Sequence, residues 1–250
     1  MSDNNFKNLI SDSFKKFLNI NLSNEQLEKF LDYAELLRET NKVMNLTSIV
    51  DDDGIAIKHF VDSCFIIKTD IFNKNDNNYK KMVKSAIDVG TGAGFPGIPM
   101  AILCENMSFL LTDSLNKRIK FLDNVINVLN LNNVKTIHAR AEDLGHDINY
   151  REKYDFAFAR GVSKLSVLFE YLSPFVKVNG DVLVHKLSNI DEEILESKSS
   201  INKLCLRYVN KYEYKLIDEE PERAIFDFNK INHINNIYPR KAGIPAKNPL

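Results

Sequence analysis

The sequence predicts an α/β protein with a mostly parallel, seven-stranded sheet and a helical extension in front of it. Two observations carry this reading. Between residues 84 and 188, short apolar runs alternate with helix-period segments, and such alternation builds a parallel sheet with helices on both faces. Further on, the strand-like runs 205–217 and 223–229 follow one another across Asp218-Glu-Glu-Pro221, the pattern of an antiparallel pair that closes the sheet.

The elements follow in order. Residues 1–60 read as helical. Ser23 with Gln26 forms a capping-box signature, and Leu27, Phe30, Leu31, Ala34 and Leu37 then recur at helical spacing. Residues 41–49 read as a loop, 55–67 as a second helix, and 73–81 as a polar linker. Strand 85–89 runs into Gly90, Gly92, Gly94 and Gly97, and a helix spans 97–105. Strand 108–112 leads to a helix over 115–131, with Leu115, Ile119, Leu122, Ile126 and Leu129 on one face. Strand 134–138 precedes a loop over 140–149, strand 154–159 a helix over 164–172, and the Asn179-Gly180 turn a strand over 181–186. One helix covers 190–203. The domain division is 1–80 for the helical extension, 81–236 for the sheet domain and 237–250 for a basic, proline-rich tail.

Composition narrows the class. Of 250 residues, 44% are hydrophobic and 27% charged, ordinary values for a globular chain, and the net charge of −1 provides no global basic field for nucleic acid. Cys64, Cys104 and Cys205 are far apart in sequence and odd in number, so buried thiols in a reducing compartment are expected. The five histidines show no metal-ligand spacing, so no metal site is expected. The N-terminus lacks a basic-then-apolar leader and no apolar run approaches a membrane span, so a cytoplasmic location is expected.

The chemistry is concentrated after the first strand. Glycines at a strand-to-helix turn permit a tight bend and a close approach of backbone to ligand, and the helix N-terminus behind them presents unpaired N–H groups. Gly92-Ala-Gly94-Phe-Pro-Gly97 matches the dinucleotide fingerprint, and Asp113 stands 21 residues after Gly92, at the end of the next strand, where a ribose-binding acid belongs. Such an acid serves NAD and S-adenosylmethionine equally, and it also suits capping of the following helix. The run Asp88-Val-Gly-Thr-Gly-Ala-Gly94 resembles the first motif of class I S-adenosylmethionine-dependent methyltransferases and favours that cofactor. Ligands in these sheets bind beyond the carboxyl ends of the strands, which points to Asp88–Gly94, Asp113, Ala141–Asp143, Arg160 and Lys186.

An ordered set of segments resembles one family. They are Asn45-Leu-Thr-Ser48, His59-Phe-Val-Asp62-Ser63, Asp88 through Pro99, Asp113-Ser-Leu-Asn-Lys117-Arg118, Ala141-Glu142-Asp143, Ala159-Arg160-Gly-Val162, His185-Lys186, and the tail from Tyr238 to Leu250. Together, from about residue 25 to the end, they resemble the bacterial RsmG/GidB 16S ribosomal RNA guanine-N7 methyltransferases. The resemblance implies a class I methyltransferase fold, S-adenosylmethionine as cofactor, and 16S ribosomal RNA or the small subunit as partner. It implies cofactor contacts from Asp88, Gly90, Gly92, Gly94, Phe95, Asp113, Ala141, Glu142 and Arg160. Catalytic roles fall to Arg160, Lys186, His59 and Asp62, and RNA contacts to Asn45, Lys117, Arg118, Arg240, Lys241 and Lys247. The residues agree chemically. N7 of guanine carries a lone pair and no proton, so no base is needed to make the nucleophile. Phe158-Ala-Arg-Gly161 stands where exocyclic-amine methylases carry Asn/Asp-Pro-Pro-aromatic, and no cysteine nucleophile lies nearby.

Two other readings remain open at this level. An NAD-dependent oxidoreductase would use the same glycine loop, but too few residues remain for a substrate domain. A non-catalytic RNA-binding module would keep the fold without turnover. The tail, with Arg240, Lys241, Lys247 and three prolines, is predicted to lie as an extended arm against rRNA phosphate.

Overall fold

The computed structural model describes residues 3–73, 83–161 and 163–250; the 73–81 linker, the proposed boundary at residue 80 and Val162 lie wholly or largely outside them. The chain opens with α1 (Asp3–Ser13), which continues through a wide helical turn at Phe14–Leu18 and stops at Asn19. α2 (Asn24–Met44) starts at the predicted capping box, with Ser23 and Gln26 exchanging two 3.1 Å hydrogen bonds. Its buried face is Leu27, Phe30, Tyr33, Ala34 and Leu37, while Leu31 is only partly buried. The predicted loop starts later than expected: the helix holds to Met44, and Asn45 ends it in the left-handed region at φ 49°. The next helix is a composite of Gly54–Val61 in wide turns, α3 (Asp62–Cys64) and a tight turn, Phe65–Lys68, before the short α4 (Asp70–Asn73).

The alternating region follows as β1 (Ser85–Val89), α5 (Gly97–Leu103), β2 (Ser108–Asp113), α6 (Asn116–Val128), β3 (Val134–His138), α7 (Ala141–Leu144), β4 (Tyr154–Arg160), α8 (Leu165–Leu172) and β5 (Val176–Leu187). α9 (Asp191–Glu196), α10 (Lys198–Lys203), β6 (Leu206–Tyr214), β7 (Arg223–Lys230) and α11 (Ile244–Lys247) complete it. Among the described residues the seven strands form one sheet in the order β3-β2-β1-β4-β5-β7-β6. β1 to β5 are mutually parallel, and β7 runs antiparallel to both β5 and β6.

Two differences from the predicted elements have local causes. β5 begins at Val176 rather than after Asn179-Gly180; Asn179 takes a positive φ of 67° inside the strand, and the register with β4 shifts between Tyr154 and Phe156. The predicted 190–203 helix breaks at Ser197, whose hydroxyl donates back to the Glu193 carbonyl (2.8 Å) between α9 and α10.

Side chains alternate across each strand, so the sheet buries two faces. On one, Ala86, Phe109, Leu111, Phe156 and Phe158 join Phe14, Phe30, Phe60 and Ile98 in one continuous core. On the other, Ile87, Leu110, Ala157, Val182, Val184 and Phe226 pack with Phe169 and Leu172 of α8. The N-terminal helices thus share the cover of one face of the sheet with α5 and α6. The strand order reverses between β1 and β4, where a ligand crevice opens at the carboxyl edge. β7, running backwards, brings its first residue, Arg223, opposite Leu187 at that same edge.

Candidate active site

Two cavities open at this edge. The first, about 290 Å³, is lined by Gly90, Asp113, Ala141, Glu142, Arg160 and their neighbours, including Thr112, Arg140, Leu168 and Tyr171. The second, about 380 Å³, is lined by Lys58, His59, Asp62, Arg160, His185, Lys186, Tyr214 and Arg223. Arg160 and Gly161 belong to both walls.

The glycine loop is held from behind. Asp88 is 1% exposed, and its Oδ2 accepts from Thr91 Oγ1 (2.7 Å) and the Gly97 amide (2.9 Å). Its Oδ1 is buried without a hydrogen-bond partner among the described residues. Asp88 therefore shapes the loop and does not line the cavity. Burial pushes its carboxyl up to about 6, against the hydrogen bonds from Thr91 and Gly97 and the charge of Arg160. Because the folded value exceeds the ordinary 3.8, the native state holds the proton that the unfolded chain has released, so this group subtracts stability as pH rises from about 4 to about 6. The full penalty at neutral pH is on the order of 3 kcal/mol. Urea unfolding across that range is expected to show Asp88→Asn losing less stability than the parent chain; parallel curves would assign the ionisation elsewhere.

Gly90 (φ +71°) and Gly92 (φ +62°) occupy the left-handed region, and a Cβ at either would meet nothing within 4 Å. That open cradle fits a ligand lying against backbone. Gly94 differs from the expected role. At φ +102° its Cβ would come within 2.8 Å of Ile98, Leu122 and the Tyr33 hydroxyl, so it is a packing glycine outside the cavity. Phe95 also departs from its predicted cofactor contact. It is buried with its ring stacked on His59 (centroids 4.4 Å apart), and the Arg160 guanidinium lies 4.8 Å above it.

Asp113 closes the loop. Its Oδ2 accepts from the Gly92 amide (3.0 Å) and Arg118 Nη1 (3.1 Å), and its Oδ1 from the Leu115 amide (2.9 Å). It caps the turn and lines the cavity at once. Arg118, predicted to contact RNA, is instead tied to this carboxylate. Glu142 lines the same cavity, and its Oε1 accepts from the Gly243 amide (3.0 Å). Burial and the neighbouring Glu142 carboxylate raise the Tyr171 phenol above its usual range.

The second cavity is organised around Asp62, which is 1% exposed. Its Oδ2 accepts from Arg160 Nη1 and Arg223 Nη1 (3.1 Å each), its Oδ1 from the Tyr214 hydroxyl (2.7 Å), and its backbone carbonyl from His185 Nε2 (3.2 Å). Burial alone would raise this carboxyl, but Arg160, with His185 and Arg223, holds it below the usual carboxylate range. Arg160 Nη1 also reaches the Lys58 and His59 carbonyls, and its Nη2 donates to His59 Nδ1 (3.1 Å). His59 Nε2 then carries the proton and donates to Thr47 Oγ1 (2.9 Å). Burial and the Arg160 charge lower His59 to about 3, so the ring is neutral and holds Arg160 rather than moving protons.

Three predicted contacts are placed differently. Lys186 lines the second cavity but donates to both Glu193 oxygens (2.7 and 2.9 Å), and Glu193 in turn accepts from the Leu165 amide at the start of α8. Its charge is thus engaged structurally. Asn45 caps α2 outside both cavities, whereas its neighbour Asn41 fixes Thr47 through two 2.9 Å hydrogen bonds. The tail is no extended arm. Tyr238 and Pro239 are buried, Arg240 clamps the fully buried Glu170, and 244–247 form α11. Lys117, Lys241 and Lys247 are exposed. Sequence reasoning missed Arg223, Tyr214, Tyr171 and Arg140. The strand-end rule reaches Arg140, which follows β3 closely, and reaches Arg223 once β7 is known to run backwards.

A sheet of this order with one reversed strand, and a glycine loop answered by an acid at the end of β2, define a class I S-adenosylmethionine-dependent methyltransferase. The fold is shared with a solved mutant of the 16S rRNA (adenine(1408)-N(1))-methyltransferase from Catenulisporales acidiphilia: TM-score 0.50, 10% identity, 63% of this chain and 90% of that one covered. The family model GidB, rRNA small subunit methyltransferase G, matches residues 26–225, and the chain belongs to that family. It is 44% identical over 245 residues to the ribosomal RNA small subunit methyltransferase G of Clostridium beijerinckii, covering 98% of this chain and 99% of that protein. It is 43% identical over 229 residues to the same-named protein of Oenococcus oeni, covering 92% and 91%. This membership removes the nicotinamide and non-catalytic readings. Among the described residues no helix is long and apolar enough to cross a membrane.

Proposed function

We propose that the chain methylates N7 of a guanine in the 16S RNA of the small ribosomal subunit, in the cytoplasm. The observation that carries this is the pair of adjoining cavities that share Arg160 and Gly161. In this reading the first cavity holds S-adenosylmethionine, which when bound supplies an electrophilic methyl sulfonium. Gly90 and Gly92 give it a backbone surface, Asp113 accepts from the ribose hydroxyls, and Ala141 and Glu142 flank the adenine.

The second cavity receives the guanine. Arg160, fixed by Asp62, His59 and two backbone carbonyls, presents a positive edge suited to the guanine O6, and so sets the angle at which N7 faces the cofactor. A neutral His59 fits a nucleophile that has no proton to lose, and catalysis rests on positioning. The 1–80 extension would contribute Ile49, Lys58, His59 and Asp62 to the acceptor wall. Residues 81–236 would form the catalytic domain and 237–250 its closing segment, with Lys117, Lys241 and Lys247 facing phosphate.

S-adenosylmethionine at about 100 times its dissociation constant is expected to stabilise the protein by about 2.7 kcal/mol, and NAD to leave it unchanged. Labelled methyl transfer to small subunits or naked 16S RNA, followed by nucleoside analysis, should yield N7-methylguanosine. A label on any other atom would overturn the assignment.

A further inference from the structure

The tail grips the cofactor cavity at two points. Arg240 binds Glu170 with its backbone amide (2.7 Å), Nε (2.9 Å) and Nη2 (2.7 Å), and Glu170 is completely buried in α8 between Leu168 and Tyr171, which line the cavity. Three residues on, the Gly243 amide holds the Glu142 carboxylate, which lines the same cavity beside Tyr171. The segment between is anchored as well. Arg151 Nη1 donates to the Tyr238 carbonyl (2.8 Å), His146 Nε2 to the Pro239 carbonyl (2.6 Å), and Pro239 fills the space above Gly145, where a Cβ would lie 2.8 Å from it. A free phosphate-binding arm would not place its arginine against a buried carboxylate. We propose that residues 238–247 are a strap that fixes Glu142 and α8 in the geometry that binds the adenosine end of the cofactor, so that strap docking and cofactor binding are thermodynamically coupled. This rests on the reading that the first cavity takes S-adenosylmethionine.

Coupling is reciprocal: whatever the docked strap adds to cofactor affinity, bound cofactor adds to strap docking. Titration calorimetry without RNA, on the full-length chain, tests one direction. Arg240→Met leaves Lys241 and Lys247 in place and is expected to weaken S-adenosylmethionine binding about tenfold, the scale of a lost charged hydrogen bond. Arg240→Met with Glu170→Met replaces the buried pair by apolar side chains and is expected to recover part of the lost affinity, because the backbone amide of residue 240 still loses its acceptor. Limited trypsin digestion of the unmodified chain tests the other direction, with cleavage at the exposed Lys241 expected to slow in saturating cofactor. Parent-like affinity in Arg240→Met, or cleavage at Lys241 indifferent to cofactor, would overturn the strap. A parent chain that fails to bind S-adenosylmethionine would overturn the cofactor reading instead.

Discussion

Replacing Gly90 by valine is expected to abolish S-adenosylmethionine binding in a chain that still folds. Gly90 sits at φ +71° and lines the first cavity, and the added Cβ meets no protein atom within 4 Å. The branched side chain therefore projects into ligand space and strains only its own backbone, at a cost of about 1–3 kcal/mol. Gly94→Val provides the contrast. Its Cβ would strike Ile98, Leu122 and Tyr33 at 2.8 Å, so the expected loss is in folding. Calorimetric titration together with thermal melts separates the two, and a folded Gly90→Val chain with parent affinity would show that the cofactor lies elsewhere.

Arg160→Met is expected to lower turnover by about 100-fold or more while changing cofactor affinity far less, because a small misplacement of the acceptor costs that much in rate. Methionine keeps length and flexibility without the charge. Asp62 retains Arg223 and Tyr214, so the chain should keep a native circular-dichroism spectrum. Single-turnover methyl transfer at saturating cofactor is the measurement. Turnover within threefold of the parent would reduce Arg160 to a structural tie.

What the sequence disclosed depended on how local each signal was. The capping box at Ser23 and Gln26, the β1 run into Gly90 and the strand-end position of Asp113 are set by neighbours a few residues away, and they stand where they were read. Lys177, Asn179 and Gly180 hid the first half of β5, because a strand bulged against its neighbour does not alternate cleanly. The Asp62 cluster was half visible. His59 and Asp62 share one helical segment, but Tyr214 and Arg223 arrive from 152 and 161 residues away, a distance no spacing rule crosses. Arg240 was misread for the same reason: a basic tail looks solvated until the buried Glu170 it answers is located. Gly94 and Phe95 sit in the same motif as Gly90, which lines the first cavity, and only packing against Tyr33 and His59 distinguishes them.

The position of β7 has a consequence for how the protein comes into being. β6 leaves the ribosome first, yet in the sheet it borders only β7, which separates it from β5. It has no place to dock until the strand made after it has been inserted. Tyr214 ends β6 and Arg223 begins β7, so the Asp62 cluster gains both only at that moment, and Gly243 reaches Glu142 later still. A nascent chain halted before β7 carries the glycine loop and every residue that lines the first cavity, but lacks Arg223 of the second and the Gly243 tie to Glu142. Translation of the last strand and tail is therefore the step that completes the Asp62 cluster and the tie on Glu142.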